Sequence, residues 1–338
     1  MKLKKLCSLK TVALMALLAG LSGRACAEMN EITVAQQYGI GYLPLMVMNQ
    51  LGLIEKHAKA EGLGEIKVNW RKFAGSNVAN DALLSGNLQF AAVGGPPLIT
   101  MWAKTKGSID VKGVAAIDSM PFYLNTRNPN VKSIKDFTEK DKIALPAVKI
   151  SVQAVTLQMA AEKMFGEANA HKFDSLTVSM AHPDAMIAMM SGKGEISSHF
   201  TSPPFQYEEL KDPAVHTVLN SYDVLGGKST FVVVWATSKF REANPKTFAA
   251  FFAALKESID YINEDKKRAA EIYVKATNGK EPVESILKML NDPEIEYTLT
   301  PKNIMKYADF LYKIGSIKVK PASWKDMFFP EVHGLPGS

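Results

Sequence analysis

One pattern occurs twice along this chain. It reads VGGPPL at residues 93–98 and FTSPPF at residues 200–205. Each copy follows a short β-prone stretch. Each lies downstream of a helical segment that carries Asp-Ala and stops at Ser-Gly, Asp81-Ala82 to Ser85-Gly86 and then Asp184-Ala185 to Ser191-Gly192. From that Gly to the Pro pair the spacing is 10 residues in the first copy and 11 in the second. Two copies with unlike sequences between them are too few for a solenoid. They point instead to two similar α/β lobes, each with its own strand, turn and helix.

Strand and helix signals alternate around these copies. Ile32–Ala35 reads as a strand, and Pro44 and Gly52 bracket a helix, with Pro inside its start and Gly past its end. Ile66, Val68 and Trp70 alternate as a strand does, and Gly75-Ser76-Asn77 opens a helix to Ser85. Strands follow at Leu88–Val93, Val114–Ile117 and Phe122–Thr126. The pattern then restarts with a strand at Lys142–Leu145, a helix from Ser151 to Phe165 and a strand at Leu176–Met180. A helix at Pro183–Ser191 and a strand at Glu195–His199 come next, and TSPP is expected to open a further helix. Val215–Leu219 and Thr230–Ala236 complete the strands. The last hundred residues are helical, with start signals at Asn244-Pro245 and Thr300-Pro301. Phe248, Phe251, Phe252, Leu255 and Ile259 form one apolar face, which reads as core and not as a membrane surface.

The N-terminus carries Lys2, Lys4, Lys5 and Lys10, an uncharged apolar run from Thr11 to Leu21, and Ala25-Cys26-Ala27. That order is a secretory signal peptide over residues 1–27, cleaved after Ala27. The rival is a lipoprotein anchored through Cys26, but Gly23 and Arg24 stand where Leu is wanted. The apolar run is shorter than the roughly 20 residues a membrane span needs. Cleavage removes five basic residues from 40 and leaves 35 against 34 acidic ones. A nearly neutral mature chain gives no electrostatic case for nucleic acid. Both cysteines, Cys7 and Cys26, leave with the signal. The mature chain therefore has no disulfide, thiolate metal site or cysteine nucleophile.

No G-x-S-x-G, H-E-x-x-H or Walker pattern is present, and none of the six histidines has metal-ligand spacing. The reading is accordingly of a binding protein, not an enzyme, with no metal and no cofactor. His199 ends a strand and reads as a structural histidine. Glu208-Glu209 reads as solvated surface and Arg127 as a hinge-surface residue where the chain changes lobes. Small polar residues gather where strands end, at Gln37, Tyr38 and Tyr42, at Ser76 and Asn77, and at Ser151 and Gln153. Open α/β sheets bind ligands outside the carboxyl ends of their strands. Helix starts there offer free N–H groups to an anion. Ser76 either caps its helix or faces a ligand. The Pro pairs remove donors, so Gly94 and Gly95 offer close main-chain approach and Thr201 and Ser202 offer hydroxyls. Lys228 is a possible cation over the cleft.

The runs GYLPLMVMNQLGLIEKHA, FAGSNVANDALLSGNLQFAAVGGPPL, SVQAVTLQMA and ISSHFTSPPF resemble, in order, periplasmic substrate-binding proteins of ATP-driven importers. Their family takes up nitrate, taurine, aliphatic sulfonates and thiamine pyrimidine precursors. The resemblance implies an α/β, type II-like clamshell of two open, mainly parallel sheets joined by two crossing strands, closing on a ligand. Residues 28–121 and 229–338 would form lobe 1, and residues 122–228 lobe 2. It implies contacts from Gln37, Tyr38, Tyr42, Ser76, Asn77, Gly94, Gly95, Phe122, Ser151, Gln153, Thr201, Ser202 and Lys228. Relatives often carry Gly-Ser where this chain has Lys149-Ile150-Ser151. The expected function is that of a monomeric periplasmic receptor that delivers a small, sulfonate- or taurine-like anion to an ABC permease. Tyr38, Tyr42 and Phe122 line either the pocket or the lobe core. The alternatives are a heterocyclic or carboxylate ligand, or a sensor or enzyme of the same shape.

Overall fold

The computed structural model describes residues 28–338 apart from Lys280, so the expected leader and its cleavage site lie outside the described residues. Strand β1 (Glu31–Gln36) is followed by α1 (Leu43–Leu51), α2 (Leu53–Ala60), β2 (Lys67–Lys72), α3 (Ser76–Leu84), β3 (Phe90–Gly94), α4 (Gly95–Thr105) and β4 (Val111–Ala116). A second series comprises β5 (Tyr123–Thr126), β6 (Lys142–Leu145), α5 (Val152–Phe165), β7 (Thr177–Ser179), α6 (His182–Ser191), β8 (Ile196–Thr201), α7 (Phe205–Glu209), β9 (His216–Asn220) and α8 (Ser221–Leu225). The chain then runs through β10 (Val232–Thr237), α9 (Ser238–Ala243), α10 (Pro245–Glu264), α11 (Lys266–Ala276), α12 (Val283–Leu290) and α13 (Ile304–Lys313).

The strands form two five-stranded sheets, ordered β2-β1-β3-β10-β4 and β7-β6-β8-β5-β9. The two have the same layout. In each, four strands point one way and one antiparallel strand sits second from the edge, β10 in the first sheet and β5 in the second. That inserted strand is the first one made after the chain crosses between lobes. The crossings touch at the bridge between Ser119 and Thr230. A third extended segment, unforeseen from the sequence, joins them: Ser119 N donates to Glu296 O at 2.7 Å and Glu296 N to Ser119 O at 2.9 Å. The expected two-strand connection is thus a three-segment one.

Burial follows the sequence pattern. In β1, Ile32 and Val34 are fully buried, while β3 and most of β10 are buried on both faces. Helix α10 lays Phe248, Phe251, Leu255 and Ile259 onto the first sheet, with the Phe90 and Phe251 rings stacked 3.6 Å apart. The apolar run of this helix is core. Its start is capped from a distance: the Glu28 carboxylate accepts from Lys246 N at 3.0 Å and Thr247 N at 2.7 Å. Thr300-Pro301 does not open the last helix, which begins at Ile304 after Asn303. The two Pro pairs also differ. Pro96 and Pro97 lie in the first turn of α4, whereas the Pro203-Pro204 peptide is cis and α7 starts only at Phe205.

The carboxyl ends of the two sheets face each other in close contact. Ile40 N donates to Pro203 O at 3.1 Å across the gap. A Cβ on Gly94 would lie 2.8 Å from Val152 Cβ, and one on Gly75 would run into the Pro146 carbonyl. Neither glycine has an unusual backbone angle. Each is required by space and not by conformation, so only the unsubstituted residue lets the lobes shut. Gly75→Ala and Gly94→Ala should therefore fold normally but hold the lobes apart. Spin labels placed at exposed Glu61 and Lys193 by cysteine substitution should report a longer interlobe distance in both variants than in the parent. Separately, Glu28→Ala should lower stability by about 1 kcal/mol through loss of the α10 cap, as read by denaturant unfolding.

Candidate functional site

Where the sheets meet, a tight polar cavity of about 10 Å³, room for a single water, is lined by Gln37, Tyr38, Tyr42, Ser76, Gly94, Ser151, Val152, Gln153, His182 and Phe231. That is far below the size of a ligand site, so the lobes as they stand are shut and must part to admit anything larger than a water. Seven of these residues were expected from the sequence. They come from strand ends and helix starts of both lobes, which is why a strand-end search finds them.

Four helices of eight residues or more begin at this cavity. Gly75 is the N-cap of α3, with Ser76 its first residue and no side-chain cap. Ser76 is 98 % buried and so is not a cap but part of the wall. Gly94 is the N-cap of α4. Ser151 is the N-cap of α5 and accepts from Ala154 N at 3.2 Å, so its hydroxyl has a structural partner as well as a place in the wall. Ala181 is the N-cap of α6, and His182 is its first residue. The first-turn amides of α3 and α5 have no intrahelical acceptors and the helix dipoles add positive potential. Pro96, Pro97 and Pro183 remove donors from α4 and α6. No lysine or arginine is among the lining residues.

The other expected contacts lie elsewhere. Asn77 is exposed. Gly95 packs under Ile304. Phe122 is buried behind the wall, 5.4 Å from the Phe231 ring and 5.3 Å from that of Phe200. Lys228 reaches Glu296 at 3.6 Å and is not a cation over the cavity. Ser202 is fully buried against Gly39, its Oγ without a partner. Thr201 Oγ1 is 3.3 Å from His182 Nδ1 and buttresses that ring. Arg127 is no hinge residue: it follows β5 and pairs with Asp212 at 2.7 Å within the second lobe.

The sequence reading missed the groups behind the wall. His182 Nδ1 lies 2.8 Å from His199 Nε2, and His199 Nδ1 lies 2.6 Å from Glu209 Oε1. Glu209, expected at the surface beside Glu208, is fully buried. Burial pushes its carboxyl up to about 8 and His199 down to about 3, and holds His182 well below the usual imidazole range. The contact between Glu209 and His199 is therefore a bond between neutral groups, since burying both charges costs more than their attraction returns. Asp118, also fully buried, accepts from Val232 N at 2.9 Å through Oδ1, while Oδ2 has no partner. Burial raises it well above the ordinary carboxylate range. A histidine opening a helix before proline, at the place that Ser76 holds in the first lobe, was the available signal for His182.

Solved structures share this architecture. The alkanesulfonate-binding protein SsuA from Xanthomonas axonopodis pv. citri bound to MOPS matches with a TM-score of 0.68 at 15% identity, over 86% of this chain and 96% of that one. The periplasmic nitrate-binding protein NrtA from Synechocystis PCC 6803 gives 0.68 at 16%, over 89% and 84%. The periplasmic aliphatic sulphonate binding protein SsuA from Escherichia coli gives 0.61 at 17%, over 89% and 92%. These likenesses establish the two-lobed periplasmic binding protein fold. The sequence has no significant match among curated proteins. The model of the NMT1-like family matches residues 27–276. With most of its length covered by that match, the chain belongs to the NMT1-like family.

Proposed function

We propose that this protein is the periplasmic receptor of an ABC importer. It captures a small oxyanion in the interlobe cavity and hands it to a membrane permease. The observation that carries this reading is the convergence of four helix starts, from both lobes, on one buried polar cavity without a lining cation. Free amides and aligned dipoles favour a negative ligand, and such a site selects for charge without the desolvation cost of a buried ammonium. The lobes open to admit the ligand, and their close contacts at Gly75 and Gly94 favour a compact head group such as sulfonate, nitrate or carboxylate, with a short organic part at most. Tyr38, Tyr42, Val152 and Phe231 supply the surfaces against which that part rests. Structural neighbours named for sulfonate and nitrate binding support the class of ligand, and the N-terminal signal pattern supports export. The ligand is bound and released unchanged.

Calorimetry and thermal unfolding with nitrate, methanesulfonate, taurine, acetate and a neutral pyrimidine test this. At least one anion should raise the melting temperature, since 100 times Kd of ligand stabilises the folded state by about 2.7 kcal/mol. Ser76→Ala should weaken that anion about tenfold, or about 1.4 kcal/mol, and leave the unliganded protein's stability within about 0.5 kcal/mol. Stabilisation by the pyrimidine alone, or turnover of any compound, would contradict the proposal.

A further inference from the structure

The hydrogen bonds behind His182 run in a fixed direction. Thr217 Oγ1 donates to Asn125 Oδ1 at 2.8 Å, so the Asn125 amide nitrogen points onward and donates to Glu209 Oε2 at 2.9 Å and to Gln206 O at 3.1 Å. Oε2 is therefore an acceptor in either charge state. In the protonated acid the hydrogen sits on Oε1 and donates to His199 Nδ1, 2.6 Å away. A neutral His199 then carries its hydrogen on Nε2 and donates to His182 Nδ1 at 2.8 Å. A neutral His182 in turn carries its hydrogen on Nε2. That nitrogen lies 3.4 Å from Gln153 Nε2, and both residues line the cavity. Gln153 fits either polarity, since its carbonyl accepts from Nε2–H and its NH₂ donates to a bare nitrogen. The Phe205 ring, stacked 5.6 Å from His182, and Thr201 hold the imidazole in this line.

We propose that Glu209 sets the hydrogen-bond polarity of the cavity: protonated, it makes His182 an N–H donor to a bound oxyanion, and ionised, it turns His182 into an acceptor that rejects one. This rests on the oxyanion reading above. Glu209 is a positioning residue, since two imidazoles separate it from the ligand. Reversal transfers protons in balance. His182 Nε2 loses one proton to solvent through the cavity, the Nε2 proton of His199 moves to His182 Nδ1, and the Oε1 proton of Glu209 moves to His199 Nδ1. The chain loses one proton and gains one negative charge, now on Glu209.

Other titratable groups around this chain do not duplicate the effect. On α6, Asp184 is exposed. On α7, Glu208 pairs with Lys211 at 2.6 Å, and Asp212 just beyond pairs with Arg127 at 2.7 Å. Across the cavity stand Tyr38, with Lys72 Nζ 5.2 Å from its ring, and Tyr42, whose hydroxyl burial holds above the ordinary tyrosine range. Asp118, likewise buried and raised above the ordinary carboxylate range, is bonded to Val232 N and turns its Oδ2 toward Gly41, away from this line. Glu209, held near 8, is the member of the line that ionises in mildly alkaline solution. The sign follows: its proton is present below that pH and lost above it, so anion affinity falls as pH rises through about 8. With one linked proton the fall approaches tenfold per pH unit.

The test uses the mature protein and Glu209→Gln. Because Asn125 requires an acceptor at the Oε2 position, the amide nitrogen introduced by the substitution must face His199, which fixes the protonated polarity. Methanesulfonate and nitrate affinities are measured by calorimetry from pH 6 to 10. The parent should lose affinity steeply above pH 8 and the variant should not. In the unliganded protein, ¹⁵N spectra of labelled histidine should show His182 and His199 as neutral Nε2–H tautomers at pH 7. Both should switch to Nδ1–H with one shared midpoint, and the switch should be absent in the variant. Nδ1–H tautomers at pH 7, or anion binding with a flat pH dependence in the parent, overturn the inference while leaving the receptor reading intact. Failure of both anions and of the rest of the panel to bind overturns both.

Discussion

The direction of the strands governs everything at the site. Parallel strands place the starts of their connecting helices at one end of a sheet, and two sheets facing each other bring two such ends together. The first lobe supplies α3 and α4 and the second supplies α5 and α6. Glycine at positions 75 and 94 then removes the last obstacles to contact, so the amides at those helix starts enclose a small volume and do not face open water. The hinge follows from the same topology. Each sheet accepts one antiparallel strand directly after a crossing, and the two crossings are tied through Ser119 to a third segment at Glu296.

Electrostatics reinforces that geometry. The lining carries no ammonium or guanidinium, and the carboxyls buried nearest to it, Asp118 and Glu209, are both pushed toward their neutral forms by burial. Two buried anions would cancel the potential of the helix ends. Neutral acids do not, and the one at Glu209 contributes a directed hydrogen bond through His199 and His182. Buried acids and histidines of this kind cost stability, and their retention behind a cavity wall is intelligible if they orient a donor toward it.

Much of the fold was legible in the sequence because Pro, Gly and the apolar period mark element boundaries locally. Pro44 and Gly52 bracket α1 as expected, and the stripe from Phe248 to Ile259 lies on the core. The wall residues Gln37, Ser76, Gly94, Ser151 and Gln153 were legible because strand ends are local features too. The remainder depends on distant partners. Lys228 finds Glu296, and Arg127 finds Asp212, only once the chain has folded back. Glu209 looks like half of a solvated acidic pair until α7 packs it against His199 and Asn125. FTSPPF echoes VGGPPL in sequence, yet only the first Pro pair lies within a helix turn, and the second turn presses Pro203 onto Ile40. The closing contact was hidden for the same reason: no local pattern reveals which glycine will face Val152.

The central claim is that main-chain amides at helix starts, and not side-chain cations, hold an anion between the lobes. A crystal structure of the mature protein grown with selenate or bromide, located by anomalous scattering, tests this most directly. The account predicts a peak in the cavity within hydrogen-bond reach of the amides of Ser76 and Gln153 and of the His182 ring. A cavity empty of the anion, or a peak held there by a lysine or arginine drawn into the cleft, would contradict it.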